Sequence, residues 1–291
     1  MKLSYRKREH SAWRKSIAAV CLLFLFQASI FAGQPDTLVV PSKTMGKSFK
    51  AFIVLPDEYN KTDASFPVLY LLHGWSGSYR DWPNKMDLGP LADRYGFIII
   101  CPDGGYAGWY LDSPLVPDSQ YESYISKEVP AFVDDNYRTV AEMRGRFICG
   151  LSMGGHGAIS LIAKYPDRYA AAGSMSGVMA LTASSKRFGI AQLIGDIESE
   201  PEIWEENSCL RLVEKLVGQK KGIIVDCGVD DFTIESNRAM HQRLIGLGID
   251  HDYYERPGHH SWDYWINALE YHLLYFSRLY HVQEPGGPAE R

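Results

Sequence analysis

Along residues 67–258 the chain alternates unbroken apolar runs with amphipathic stretches. "PVLYLLHG" (67–74), "GFIIICPDG" (96–104), "RFICG" (146–150), "AAAGSMSG" (170–177) and "GIIVDCG" (222–228) carry almost no polar alternation. Short continuous runs of this kind, bounded by glycine, proline or aspartate, predict strands buried on both faces. "DYYERPG" (252–258) predicts a last strand, and Thr37–Val40 with Phe49–Leu55 an opening antiparallel pair. A 3.6-residue period predicts one helix from about Gly154 to Lys164, stopped by Pro166, and another around Tyr264–Leu279. Strands alternating with helices predict an α/β class, a mostly parallel central sheet with helices on both faces. No repeat or linker breaks residues 34–282, which predicts one domain over 33–282. Such sheets bind ligands beyond the carboxyl ends of their strands. The residues after each strand are therefore where chemistry is expected.

The two ends do not share this pattern. Lys2, Arg6, Lys7, Arg8, Arg14 and Lys15 precede an apolar run from Ile17 to Phe31 and a small residue, Ala32. A basic head, a short apolar stretch and a small-residue site predict a secretion signal over 1–32 and a secreted or periplasmic protein. The alternative is an uncleaved anchor. The tail "QEPGGPAER" is expected to be disordered. Charge then sharpens the picture. The whole chain has 30 basic and 35 acidic residues, net −5. Without residues 1–32 these become 24 and 34, net −10. An acidic domain repels nucleic acid and anionic membranes, so neither is an expected partner. Cys101, Cys149, Cys209 and Cys227 show no CxxC or zinc spacing. Three of them end strand-like runs, which predicts buried free thiols. A bridge from Cys209 stays open.

"CGLSMGGHG" (149–157) places Ser152 in G-x-S-x-G between a predicted strand and a predicted helix. A serine on that sharp turn needs uncrowded neighbours, and the following helix turns its N-terminal N–H groups toward the site. A lone serine is a poor nucleophile and needs a base oriented by an acid, here in the chain order Ser, Asp or Glu, His. The base is expected in "RPGHHSWDYW" (256–265), which offers His259 and His260. The acid is expected in "DCGVDDFTIESN" (226–237), at Asp230 or Asp231, whereas Asp226 lies within the strand and is expected to be structural. His156 is expected to be a surface or packing residue and His73 a structural one. His241, His272 and His281 fall in predicted helices, and His251 at the far end of the last strand. The N–H groups of Met153 and Trp75 are the expected oxyanion donors.

These stretches, with "YLLHGWSGS", "GWYLDSP", "YESYISKEVPAFVDDNYRT", "RFICGLSMGGHGAISLIAKYPDRYAAAGSMSG" and "PGHHSWDYW", resemble the esterase D and feruloyl esterase-like group of α/β-hydrolases, over most of residues 49–276. The resemblance implies the α/β-hydrolase fold and a Ser–His–Asp triad that works through an acyl-enzyme without metal or cofactor. Its G-x-x-D-F pattern falls on Asp231. Its G-G-H-x-W pattern falls on His260, with His259 replacing the second glycine and Trp262 beside the base. It further implies that Trp109, Tyr110 and Asp112 lie by the mouth of the site, where they either touch substrate or rigidify the loop. The expected function is a serine carboxylesterase acting on small-molecule or polysaccharide-linked esters, with short-chain, acetyl or feruloyl acyl groups. The alternative is an acyltransferase that passes the acyl group to a sugar hydroxyl.

Overall fold

A computed structural model describes residues 36–184 and 187–283. The secretion signal expected from the sequence lies outside these residues, as does the expected terminal tail apart from Gln283, which instead ends the last helix. Eight strands form one sheet in the order β1-β2-β4-β3-β5-β6-β7-β8. β1 (Asp36–Ser42) and β2 (Lys47–Val54) form the antiparallel edge, and β2 also runs antiparallel to β4 (Ile98–Pro102). From β4 onward every pairing is parallel, through β3 (Val68–Leu72), β5 (Arg146–Leu151), β6 (Ala171–Met175), β7 (Gly222–Gly228) and β8 (Asp252–Arg256). The apolar runs without alternation are the central strands β3 to β7, nearly every residue of which is buried. The alternating β1 lies at the edge, where one face meets water.

Strand alternation sorts the buried side chains to two faces. Leu69, Leu71, Ile99, Phe147, Cys149 and Ile224 share one core with α6 (Trp262–Gln283) through Ala268, Leu269, Leu273 and Phe276. α2 (Gly89–Tyr95) adds Leu91 and Ala92, and α1 (Asp81–Lys85) adds Trp82. Val68, Tyr70, Ile148 and Ala172 turn to the other face. There α4 (Met153–Lys164) lies over β5 and β6, with α3 (Val129–Asn136) and α5 (Ile234–Gly246) completing the helical shell. The helix expected to begin near Gly154 starts one residue earlier. The one expected over Tyr264–Leu279 runs from Trp262 to Gln283, because its apolar stripe continues past both expected ends. All four cysteines among the described residues are buried and free. Cys209 donates its thiol to the His156 carbonyl at 3.4 Å.

Three histidines, His73, His156 and His272, are buried where a charge is costly, and burial lowers the pKa of each. Burial lowers the pKa of His156 to about 4 and that of His272 to about 3. Folded pKa values below the unfolded one mean the unfolded chain takes up protons first as the pH drops. Their contribution to stability is therefore complete above about pH 6.5 and is lost as pH falls toward 3–4, at up to about 1.4 kcal/mol per pH unit for each group. Denaturant unfolding at pH 7 and pH 4.5 should show this loss. His272→Gln, which cannot protonate, should flatten the slope.

Candidate active site

Ser152 stands between β5 and α4 with φ 53° and ψ −114°. A non-glycine residue in that region costs about 1–3 kcal/mol and persists only where its surroundings enforce it. The enforcement is local. The Ser152 N–H bonds the Met175 carbonyl at 2.9 Å, and the Ser152 carbonyl accepts from the His156 N–H at 3.1 Å. The flanking glycines let α4 pack this close to the sheet. A Cβ at Gly150 would come within 2.7 Å of the Gly154 backbone, and one at Gly154 within 2.7 Å of the Leu72 and His73 carbonyls. The pattern G-x-S-x-G thus records two backbone contacts and one strained corner.

Two loops from the same end of the sheet reach this corner. His260, in the loop after β8, sets Nε2 3.0 Å from Ser152 Oγ. Its Nδ1 faces Asp231 Oδ2 at 2.8 Å and Oδ1 at 3.0 Å. Asp231, in the loop after β7, is 2% exposed, so its carboxylate is committed to protein partners. Thr233 donates both its N–H and its hydroxyl to Asp231 Oδ1 at 2.8 Å. Burial alone would raise the Asp231 pKa, but hydrogen bonding and charge from His260, with the Thr233 N–H, outweigh it and hold the carboxyl below its usual range. The imidazole lies between Phe232, with centroids 4.4 Å apart, and Trp265, 4.8 Å away and perpendicular.

The neighbours of these residues point elsewhere. Asp230 is exposed, its N–H bonded to the Gly258 carbonyl at 3.0 Å. His259 is exposed too, with Nδ1 3.4 Å from the Asp230 carbonyl. Asp226 is fully buried, ion-paired to Arg256 and hydrogen-bonded to the Tyr264 hydroxyl. That network ties β7, β8 and α6 together just before both loops leave the sheet. His73 is buried, and its Nε2 accepts from the Gly104 N–H at 2.8 Å, a structural role in the turn after β3. His156 is wholly buried rather than on the surface. It bonds the Asn207 carbonyl at 2.9 Å and stacks edgewise on Trp109.

A cleft of about 280 Å³ opens over Ser152 and His260. Trp75, Trp109 and Trp262, three residues expected at the site, line it. Met153 is the first residue of α4, so its N–H has no carbonyl one turn earlier in the helix to bond and lies at the elbow. Of the residues expected either to touch substrate or to rigidify the loop, two do the latter. Tyr110 is buried beneath the loop and donates to the His73 carbonyl at 2.9 Å. Asp112 accepts from the Ser123 N–H at 2.9 Å and the Ser123 hydroxyl at 2.6 Å. Both brace the loop instead of lining the cleft. Trp109 and Tyr110 have φ of 51° and 56°, so bracing is what holds this strained loop in shape. Phe188, Phe232, Trp265 and Asp81 line the cleft without having been expected there. Trp265 lies three residues after Trp262, one turn along α6, and Phe232 follows Asp231 directly, so both carried a positional signal. Phe188 carried none.

The Esterase family model, described as "Putative esterase", matches residues 42–276. An esterase of Mycobacterium tuberculosis is 30% identical over 238 residues, covering 72% of this chain and 51% of its own length. The chain thus spans about half the length of that relative. An acetyl esterase of Caldicellulosiruptor saccharolyticus is 30% identical over 264 residues, covering 79% of this chain and 94% of its own. The solved structure of a ferulic acid esterase superposes with a TM-score of 0.74 at 27% identity, covering 85% of this chain and 98% of that one.

Proposed function

Because this chain belongs to the esterase family whose model spans residues 42–276, we propose that it is a serine carboxylesterase working through Ser152, His260 and Asp231. The observation that carries the reading is the continuous relay from Ser152 Oγ to His260 Nε2 at 3.0 Å and from His260 Nδ1 to Asp231 at 2.8 Å. Asp231 holds the proton on Nδ1, which leaves Nε2 free to take the serine proton as Oγ attacks the ester carbonyl. The resulting imidazolium is stabilised by the ionised carboxylate. The N–H groups of Met153 and Trp75 stabilise the oxyanion in the reading proposed here. His260 then gives its proton to the leaving alcohol, and the acyl group remains on Ser152. Water enters, loses a proton to the same nitrogen and releases the acid, restoring the serine. Every proton passes through one imidazole.

The aromatic lining suits a compact acyl or aryl group, and acetyl and feruloyl esters, free or polysaccharide-linked, are the proposed substrates. The basic head and apolar run of residues 1–32 support export as a secreted or periplasmic enzyme. A panel of 4-nitrophenyl acetate, methyl ferulate and acetylated xylan should show hydrolysis of at least one. No turnover of any of them would contradict the reading. Acylated sugar on addition of trehalose or xylo-oligosaccharide would assign the same relay to acyl transfer.

A further inference from the structure

Among the described residues that line the cleft, Asp81 is the one carboxylate, alongside the polar Ser76, Ser152 and His260 and a wall of aromatic and apolar side chains. It opens α1, and Ser78 fixes it: the Ser78 N–H and hydroxyl both bond Oδ1, at 3.1 and 3.4 Å, while the Asp81 N–H bonds the Ser78 carbonyl at 3.0 Å. The Ser78 donors use one carboxylate oxygen only. The other, Oδ2, lies beside Gly77, where a Cβ would come within 2.2 Å of it and 2.9 Å of the His73 Nδ1, so this oxygen also neighbours a buried imidazole. Asp81 takes part in no ion pair among the described residues. No lysine or arginine lines the cleft with it. Lys85 lies 5.7 Å from the Trp262 ring centroid but is exposed, as is Arg187 beside Phe188, so water and salt screen both. A half-buried carboxylate with no ion-pair partner among the described residues, set beside tryptophan and phenylalanine rings, makes a field that attracts cations. The ring faces themselves add to it through their quadrupoles.

Building on the esterase reading, we infer that Asp81 is a specificity-determining residue whose unpaired carboxylate biases the cleft toward cationic and neutral esters and against anionic ones. Acetyl is small, so an aryl leaving group fills the rest of the cleft and brings its substituent within reach of this field. The test is a charge series with one acyl group: 4-acetoxyphenyl-trimethylammonium, methyl 4-acetoxybenzoate and 4-acetoxybenzoate. Comparing kcat/KM ratios between enzymes cancels the intrinsic reactivity of each ester. Relative to the neutral ester, Asp81→Asn should lower the preference for the cation about tenfold and raise the relative rate on the anion by a similar factor. The amide of Asp81→Asn retains an oxygen for Ser78, and Asp81→Glu should keep the sign of the preference, since it keeps the charge. Ratios in Asp81→Asn within twofold of wild type, or an Asp81→Glu enzyme that behaves like Asp81→Asn, would overturn the inference. Fluorophosphonate labelling of Ser152 separates the two levels. A labelled enzyme with an unaltered charge series overturns the role of Asp81 alone. An unlabelled one removes the esterase reading and this inference together.

Discussion

Ser152→Ala should lower kcat on 4-nitrophenyl acetate by a factor on the order of 10⁴–10⁶ while the protein stays folded. The size follows from what is lost. Without Oγ no acyl-enzyme forms, and only the binding cleft and the oxyanion donors remain to help water attack directly. Removing a nucleophile that works as a unit with its base costs nearly as much as removing the whole relay. Stability should hold or rise, because the change leaves the Ser152 N–H bond to Met175 and its carbonyl bond to His156 in place. Circular dichroism and the denaturation midpoint check the fold, and a burst-corrected rate checks the chemistry. A variant retaining wild-type turnover would remove Ser152 from the mechanism.

Asp231→Asn is the second large effect, expected on the order of 10⁴ in kcat. Here the hydrogen bonds dictate which way the amide turns. Asp231 Oδ1 accepts two donors from Thr233, whereas Oδ2 makes the shorter contact to the His260 Nδ1, at 2.8 Å, and the Ser176 hydroxyl adds to the carboxylate's hydrogen bonding. The asparagine oxygen therefore stays with Thr233 and its NH₂ meets the imidazole. The ring must then accept at Nδ1 and carry its proton on Nε2, which can no longer take the proton of Ser152. KM should change far less than kcat, since neither atom contacts a ground-state ester in this scheme. An equal fall in binding and turnover would point to collapse of the loop rather than to a reversed tautomer.

The sheet was legible because its signals are local and repeated. Unbroken apolar runs mark β3 to β7, and the strand-to-helix corner carries its own glycines at 150 and 154. The partners of Ser152 were legible only to within a pair of adjacent residues. In a loop, neither periodicity nor propensity says which of Asp230 and Asp231, or of His259 and His260, turns inward. The family patterns chose Asp231 and His260, and the structure shows what distinguishes them. The Asp230 N–H is drawn to the Gly258 carbonyl, crossing the two loops, and this turns Asp231 inward and leaves Asp230 and His259 in solvent. The loop "GWYLDSP" shows the opposite limit. The resemblance leaves substrate contact and loop bracing both open for Trp109, Tyr110 and Asp112, and the structure divides them: Tyr110 and Asp112 find carbonyl, amide and hydroxyl partners within the protein, and of the three Trp109 lines the cleft. Whether a polar side chain serves the ligand or the backbone depends on groups distant in sequence. The burial of His156 has the same origin. Its carbonyl partner at Asn207 comes from a segment 51 residues away.

The most direct test of the central claim is the rate at which a fluorophosphonate probe modifies the protein, with the site read by peptide mass spectrometry. Labelling of Ser152 in the native enzyme, lost in Ser152→Ala and slowed at least a hundredfold in His260→Ala, is the predicted result. A probe that leaves Ser152 unmodified, or that labels it equally fast without the imidazole, would contradict a histidine-activated serine.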